Sequence, residues 1–249
     1  MAGFADHFSG VARDYASFRP GYPAALFDWL AARAPARDLA WDCATGNGQA
    51  ALALSRHFAH VVATDASEAQ IAAAERHPRI EYVVAPAEDP GLEDASVDLL
   101  TVAQAAHWFD LERFHREAHR ILRVGGLIAE WCYGIAEIDG ASIDASMLRY
   151  YDGTVGPYWP PERGQIEVGY RDLPFPFRRI DPPGLAMEVE WTLAQWVGYV
   201  RTWSATSRFI EARGVDPTPE LERQLLPLWG ESGAVRRVRW PLALRVGRA

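Results

Sequence analysis

The stretch that decides the fold is Leu39-Ala40-Trp41-Asp42-Cys43-Ala44-Thr45-Gly46-Asn47-Gly48-Gln49-Ala50-Ala51. A short apolar run is followed by an acid, a turn with two glycines and the beginning of a helix, so the stretch predicts a strand–turn–helix unit. The glycines lack a Cβ and let the backbone approach a ligand closely. The free N–H groups of the helix point at the same place. Asp42 would stand at the carboxyl end of the strand, where open α/β sheets bind ligands.

Two classes of ligand fit this unit. The segment Gly46-Asn47-Gly48-Gln49-Ala50-Ala51 matches the dinucleotide pattern G-x-G-x-x-G/A, which is weak support by itself. Asp42, however, lies four residues before Gly46, where its carboxylate would repel a pyrophosphate. A cationic ligand would be attracted instead, and S-adenosylmethionine carries both an ammonium and a sulfonium.

The longer string Asp42-x-Ala44-x-Gly46-x-Gly48 resembles motif I of the class I S-adenosylmethionine-dependent methyltransferases, D-x-G-x-G-x-G. Ala44 replaces the usual first glycine, so we expect a backbone at Ala44 that does not need a positive φ. The resemblance implies S-adenosyl-L-methionine as the cofactor. It also implies a set of residues that bind it at this turn: Asp42, Ala44, Thr45, Gly46 and Gly48.

Composition narrows the choice of function. The chain has 249 residues and a formal net charge of −8, which argues against a nucleic-acid partner. All 25 basic residues are arginine, so Schiff-base and P-loop lysines and the Tyr-x-x-x-Lys pair of short-chain dehydrogenases are excluded. Two cysteines outside any C-x-x-C pair support neither a zinc nor a redox motif. We find neither a long apolar run nor a signal peptide, and expect a cytoplasmic monomer or homodimer without membrane contact.

The segment before the glycine turn, residues 1–38, carries a second resemblance. The string Tyr15-Ala16-Ser17-Phe18-Arg19-Pro20-Gly21-Tyr22-Pro23 is similar to a signature that opens a methyltransferase subfamily close to the trans-aconitate methyltransferases. In that subfamily the segment folds over the cofactor. The resemblance implies that Tyr15 and Arg19 approach the methionine carboxylate, although Arg19 could also be an ordinary surface group.

Two further turns follow predicted strands. Asp65 ends the apolar strand Val61–Ala63, seventeen residues after Gly48. An acid about 20 residues beyond such a glycine turn typically binds ribose hydroxyls, so we assign Asp65, with its neighbour Ala66, to the cofactor. The alternative is that Asp65 caps the next helix, which Ser67 could equally do. After the strand Ile80–Val84, the resemblance implies that Ala87 and Glu88 line the adenine.

The fourth predicted strand, Ser96–Ala103, ends in an unusual group of side chains. Gln104, His107 and Trp108 would lie at the carboxyl edge of the sheet, beside the glycine turn. We predict that Gln104 contacts the cofactor and that Trp108 packs over adenine or substrate. His107 is the best candidate for a general base, and the alternative is a wall residue of the site. His115 and His119 are four residues apart, but no third ligand accompanies them and no metal is predicted.

The order of elements predicts the fold class. Strands and helices alternate through residues 39–133, where a helix over 111–122 ends with Gly125 and Gly126 at its C-cap and a fifth strand covers 127–133. Residues 134–185 interrupt the pattern. Residues 186–249 finish with strands over 186–191 and 235–246 and with helices between them. We predict one α/β domain with a Rossmann-like, doubly wound, seven-stranded sheet. Its strands would be mostly parallel with one antiparallel strand. The segment 134–185 is rich in aromatic residues and prolines, and we interpret it as a lid over the substrate.

These observations predict methyl transfer from S-adenosyl-L-methionine to a small-molecule acceptor. By resemblance to the trans-aconitate branch the acceptor would be a carboxylic acid, or otherwise a hydroxyl compound. Trp159 and Arg163 of the predicted lid are candidate substrate-binding residues, together with Trp108. An NAD-binding oxidoreductase is the alternative enzyme, and it would leave Asp42 unexplained. A protein that keeps the fold without activity is the third alternative.

Overall fold

A computed structural model describes residues 20–231 and 233–249. Its strands, in chain order, are β1 (Leu39–Cys43), β2 (His60–Asp65), β3 (Ile80–Val84), β4 (Val97–Ala103), β5 (Leu122–Cys132), β6 (Glu137–Ile138), β7 (Arg178–Ile180), β8 (Ala186–Thr192), β9 (Val235–Pro241) and β10 (Ala243–Arg248). Its α-helices are α1 (Ala24–Ala31), α2 (Gln49–Leu54), α3 (Glu68–Ala73), α4 (Leu111–Ile121), α5 (Ala141–Leu148), α6 (Arg163–Glu167), α7 (Leu193–Arg201), α8 (Ser204–Arg213) and α9 (Thr218–Trp229). A 3₁₀ turn covers Ala106–Trp108 and a π-helix covers Arg149–Thr154. Within this part of the chain, no helix has both the length and the apolar character needed to cross a bilayer.

The main sheet has seven strands in the order β3-β2-β1-β4-β5-β10-β7. The first five in that order run parallel to one another, and β10 runs antiparallel to both of its neighbours. The prediction of a mostly parallel, seven-stranded sheet with one antiparallel strand is therefore confirmed. The strand order reverses at β1, so the carboxyl ends of β1 and β4 flank a crevice of the kind that binds ligands in open α/β sheets.

Both faces of the main sheet are covered because successive residues of a strand point to opposite sides. Trp41 and Cys43 of β1 pack on the side of α4, with Phe114. Ala40 packs on the other side, against the cluster that holds Leu26 of α1 and Leu54 of α2. This double covering fixes the sheet, and with it the positions of the residues at the strand ends.

The fifth strand begins earlier than the sequence indicates. We expected a helix over 111–122 with Gly125 and Gly126 at its C-cap and the fifth strand over 127–133. The helix does end at Ile121, but β5 begins directly after it and both glycines lie inside the strand. Val97 pairs with Leu122 and Leu99 pairs with Leu127, so β5 contains extra residues that bulge from the ladder. The glycines serve this bulge rather than the end of the helix.

A second unit, composed of β6, β8, β9, α5 and α7–α9, lies after the fifth strand. Its three-stranded antiparallel sheet has the order β6-β9-β8. We expected the strand at 186–191 to follow the lid in the main sheet, yet β8 belongs to this small sheet. The sixth strand of the main sheet is instead β7, which falls within the segment 134–185.

The last predicted strand is also divided. The segment 235–246 forms β9 in the small sheet and β10 in the main sheet, with Leu242 between them. Pro241 stands at the end of β9, where it interrupts one ladder before the next begins. A single extended segment thus ties the second unit to the main sheet.

Candidate active site

A cavity of about 800 Å³ opens at the carboxyl ends of β1, β2 and β4. The glycine turn predicts a ligand-binding site at this edge of the sheet. Most of the residues that the sequence assigns to cofactor and substrate meet on its walls, namely Ala44, Thr45, Gly46, Asp65, Ala66, Ala87, Glu88, Gln104 and Trp108. Tyr15 and Arg19 lie outside the described residues. Asp42, Gly48, His107, Trp159 and Arg163 do not line the cavity, and their places are described below.

Our expectation about the backbone of the glycine turn is wrong at one residue. The backbone of Ala44 has φ 53°, in the left-handed region that alanine avoids, whereas we expected no positive φ there. Gly46 and Gly48 follow with φ 58° and 87°. Three residues of the turn therefore adopt conformations that favour glycine, and the alanine accepts the strain that the family's usual glycine would not have.

Asp65 holds the turn in this shape. One of its carboxylate oxygens accepts a hydrogen bond from the Gly46 N–H at 2.9 Å, and the other accepts one from the Ser67 N–H at 2.8 Å. Ser67 itself is the N-cap of α3, and its hydroxyl accepts from the Gln70 N–H. Asp65 thus links the end of β2 to the glycine turn and keeps its carboxylate beside the cavity.

Asp42 stands behind the turn rather than on the wall of the cavity. It is 1% exposed, and its two oxygens accept hydrogen bonds from the hydroxyls of Thr45 at 2.5 Å and Thr101 at 2.8 Å. Burial raises its pKa to about 6, while these hydrogen bonds act in the opposite direction. We therefore attribute to Asp42 a role in shaping the turn, and its assignment to the cofactor stays a prediction.

Packing against Tyr82 favours a glycine at position 48. It precedes α2 in a left-handed conformation, and a Cβ at this position would lie 2.4 Å from the hydroxyl oxygen of Tyr82. Tyr82 donates from that hydroxyl to the backbone carbonyl of Glu75 at 3.0 Å. Gly48 lets this tyrosine close the outer side of the turn.

The chemistry of the cavity fits a cationic, hydroxyl-bearing nucleoside. Its walls carry the carboxylates of Asp65, Glu75 and Glu88, and none of the described residues that line it is basic. In addition, Thr45 N–H donates to the Thr64 carbonyl and Gly46 N–H donates to Asp65, so these amides are already engaged. A pyrophosphate would find few donors here, whereas an ammonium, a sulfonium and ribose hydroxyls suit the acidic walls.

Gln104 closes the cavity on the side of the second unit. Its backbone is also left-handed, with φ 58°. Its side-chain amide donates to the carbonyl of Tyr133 at 2.9 Å, while its buried side-chain oxygen has no hydrogen-bond partner among the described residues. Strained backbone and an unsatisfied oxygen at a cavity wall are features of binding sites.

His107 sits beside the cavity and is held by a residue that sequence reasoning did not single out. Its Nδ1 lies 2.8 Å from the hydroxyl oxygen of Tyr170, a fully buried side chain. Its ring packs against Trp108, with ring centroids 4.7 Å apart. Burial, and then the nearby positive charge of Arg163, lower the pKa of His107 to about 4. His107 is therefore neutral at physiological pH.

Arg163 and Trp159 meet next to His107. The Arg163 guanidinium lies over the Trp159 ring, 4.7 Å from its centroid, and its Nε donates to the hydroxyl of Tyr151 at 2.8 Å. Tyr151 in turn donates to Glu167 at 3.0 Å. Among the described residues no carboxylate lies within 4.0 Å of Arg163, and the buried indole nitrogen of Trp159 has no acceptor. The sequence contains no pattern that would have identified Tyr151 or Tyr170.

The two histidines of α4 have structural partners. His115 is buried with its Nε2 3.7 Å from a carboxylate oxygen of Glu130. His119 stacks on Phe177 at 4.3 Å between ring centroids. Within the described residues, no group of three potential metal ligands is brought together.

The comparison with known proteins agrees with this geometry. A methyltransferase domain family matches residues 41–129. A protein of Dictyostelium discoideum that is named as a methyltransferase is 36% identical over 227 residues, which are 90% of this chain and 86% of that protein. A solved structure named as a type II methyltransferase, from Anaeromyxobacter dehalogenans, is 48% identical, with a TM-score of 0.87. That match covers 93% of this chain and 98% of that one.

A third relative, from Saccharomyces cerevisiae, is named as an S-adenosylmethionine-dependent methyltransferase and is 31% identical over 128 residues. That match covers 48% of this chain and 44% of the yeast protein. The fold, the acidic cavity and these similarities define a class I methyltransferase. The chain belongs to the S-adenosylmethionine-dependent methyltransferases and is an enzyme whose cofactor is S-adenosyl-L-methionine. None of the relatives cited above is named for the trans-aconitate branch, which stays a prediction.

Proposed function

We propose that this enzyme methylates a small organic acid, with its carboxylate, or otherwise a hydroxyl, as the acceptor. One observation carries the proposal. Arg163 presents a guanidinium without a carboxylate partner among the described residues, close to His107, whose ring packs against Trp108 on the wall of the cavity. Arginine binds carboxylates through charge-assisted, often bidentate hydrogen bonds. Trp159 and Tyr151 fix this side chain in place, so little entropy is lost when an acid binds.

The proposed cofactor residues are those of the cavity. Asp65 would bind the ribose hydroxyls while it holds Gly46, and Ala87 with Glu88 would line the adenine. Ala44, Thr45, Gly46, Ala66 and Gln104 would complete the wall, and Asp42 and Gly48 would support the turn from behind. Tyr15 and Arg19 keep the role that the resemblance implies, toward the methionine carboxylate.

When bound, S-adenosyl-L-methionine supplies a methyl group on a sulfonium that departs as a neutral thioether. A carboxylate oxygen would form the new C–O bond as the C–S bond breaks, and no proton needs to move. The protein's contribution is to hold that oxygen in line with the methyl group. This orientation accounts for a large share of the rate acceleration. Arg163 would hold the acid, while Trp108 packs between the two ligand sites.

The test is a screen of acceptors with purified enzyme and S-adenosyl-L-methionine. Mono-, di- and tricarboxylic acids are compared with phenols and amines, and methylated products are identified by mass spectrometry. We expect a methyl ester of an acid. With that acid, Arg163→Gln should raise KM by about 10- to 100-fold, as loss of a charge-assisted bond predicts.

Arg171→Gln is the matched control. Arg171 is exposed and donates only to the backbone carbonyl of Val168 at 3.1 Å, so its loss should change KM less than about 2-fold. Turnover of amines alone, or equal effects of the two substitutions, would refute the proposal. Turnover of phenols but no acids would refute the carboxylate and leave the hydroxyl as the acceptor. Calorimetric titration with S-adenosylhomocysteine should give the same affinity for both variants and shows that each is folded.

A further inference from the structure

The surroundings of Tyr170 determine which group donates in the hydrogen bond between its hydroxyl and His107. Tyr170 is fully buried, and among the described residues its oxygen has one hydrogen-bond partner, the Nδ1 of His107 at 2.8 Å. If His107 donated from Nδ1, the tyrosine hydrogen would be buried without an acceptor. Such an orphaned donor biases the equilibrium roughly ten-fold or more against that arrangement. The tyrosine therefore donates and Nδ1 accepts.

The surroundings keep both groups in the states that this bond requires. The titratable and charged groups that face the pair are Arg163, Cys132, Glu130, Tyr22 and Arg245. Burial, and then the nearby Cys132, Glu130 and Tyr22, raise the pKa of Tyr170 well above its usual value, while Arg245 acts in the opposite direction, so the phenol keeps its proton. The lowered pKa of His107 keeps the imidazole neutral. A neutral imidazole that accepts at Nδ1 carries its proton on Nε2.

Tyr170 cannot easily move away from this position. Its backbone is left-handed, with φ 61°, and its carbonyl accepts a hydrogen bond from Arg245 at 2.7 Å. The same guanidinium donates to the carbonyl of Leu173 at 2.8 Å and pairs with Glu130, which is completely buried on β5. A rigid ion pair inside the main sheet thus positions the tyrosine, and through it the histidine.

We infer that His107 is a hydrogen-bond donor to the acceptor substrate, set in that tautomer by Tyr170, and not the general base that its residue type suggests. Its Nε2 has no hydrogen-bond partner among the described residues, and Arg163 lies close enough to lower the pKa of the imidazole. An imidazole N–H and a guanidinium that act together suit an anionic oxygen. This inference rests on the proposed function: an acid is already ionised when it binds, so it needs donors and no base.

The tautomer can be measured without any substrate. The full-length chain is labelled with 15N-histidine, and two-bond nitrogen–proton correlation spectra are recorded from about pH 5.5 to about pH 9. His107 is assigned by the signal that disappears in His107→Gln. We expect the Nε2–H tautomer throughout, and a shift toward mixed tautomers in Tyr170→Phe. An Nδ1–H tautomer, or an imidazolium at pH 7, would overturn the inference even if no acceptor has been found.

Kinetics give the second readout. Glutamine can place its amide N–H near the position of Nε2 but cannot act as a base. With an acid acceptor, His107→Gln should keep activity within about 5-fold of wild type, while His107→Ala should lose about 10- to 100-fold in kcat/KM. Equal losses in the two variants, or no loss in His107→Ala, would contradict a donor role. Unchanged affinity for S-adenosylhomocysteine shows that the variants are folded. A complete failure of the acceptor screen would count against the proposed function alone.

Discussion

At the scale of single residues, the left-handed backbone of Ala44, at the end of β1, leads to a testable prediction about stability. Ala44 has φ 53°, which costs an alanine about 1–2 kcal/mol relative to a right-handed conformation. Ala44→Gly should therefore raise the free energy of unfolding by about 0.5–1 kcal/mol, because the relieved strain outweighs the greater entropy of unfolded glycine.

Urea denaturation of wild type and variant measures this change. Ala53→Gly is the control, since Ala53 lies within α2, where glycine should cost about 1 kcal/mol. If both substitutions destabilise the protein equally, the left-handed strain at Ala44 is not real. The sequence could not reveal this strain, because the alanine itself suggested an ordinary backbone.

Asp42 provides a pH-dependent prediction. Its pKa is about 6 in the folded protein and 3.8 when solvated, so the folded state binds more protons between these values. Stability should then fall as pH rises through that window, by up to about 3 kcal/mol for a shift of about two units. Asp42→Asn removes this titration. We expect the variant to gain stability relative to wild type between about pH 4 and about pH 7.5.

Unfolding in urea at about pH 4 and about pH 7.5 gives the difference in the free energy of unfolding between variant and wild type. The contributions of the other titrating groups cancel in that difference. A difference that stays constant with pH would show that Asp42 is not desolvated in the way the structure indicates. The sequence correctly predicted an acid at the end of the strand. Its position behind the turn could not be predicted, since it depends on Thr101 of the neighbouring strand.

At the scale of elements, the bulge in β5 explains a glycine pair that we had interpreted as the end of a helix. A Cβ on Gly126 would lie 2.8 Å from the backbone oxygen of Arg123, and backbone atoms cannot move aside cheaply. Gly126→Ala should lower the free energy of unfolding by about 1–3 kcal/mol. Gly134→Ala is the matched control, because nothing lies within 4 Å of the added carbon.

Thermal unfolding of the two variants measures the contrast, and equal melting temperatures would refute the steric argument. The central elements were predictable because their apolar runs and turns are local patterns. The bulge was not, since it arises from pairing between β4 and β5. Pairing between distant strands also explains why the division of the segment 235–246 could not be predicted, since its pattern indicates one strand although it joins two sheets.

At the scale of the whole molecule, the proposed acceptor site depends on a segment, residues 134–185, that the sequence shows only as an interruption of the alternating strands and helices. His107 follows β4 of the main sheet, whereas Arg163 and Tyr170 come from the segment after the fifth strand. The candidate residues Trp159 and Arg163 were predictable by composition and position. Their meeting with His107 was not, because a contact between residues so far apart in sequence leaves no local pattern.

The connection between the units predicts how the molecule unfolds. Leu242 joins β9 of the small sheet to β10 of the main sheet, and both Leu242 and Tyr22 pack against the cores of the two units. Neither unit can unfold without exposing apolar surface of the other. We therefore expect a single cooperative transition in calorimetry, with equal calorimetric and van't Hoff enthalpies.

S-adenosylhomocysteine should shift that entire transition, although its proposed site lies at the edge of the main sheet. At 100 times its dissociation constant the expected gain is about 2.7 kcal/mol, which raises the melting temperature by roughly 5–10 °C for a chain of this size. NAD at the same concentration is the control and should have no effect. Two separate transitions, only one of which responds to S-adenosylhomocysteine, would show that the second unit is stable on its own. The segment that joins β9 to β10 would then not couple the unfolding of the second unit to that of the main sheet.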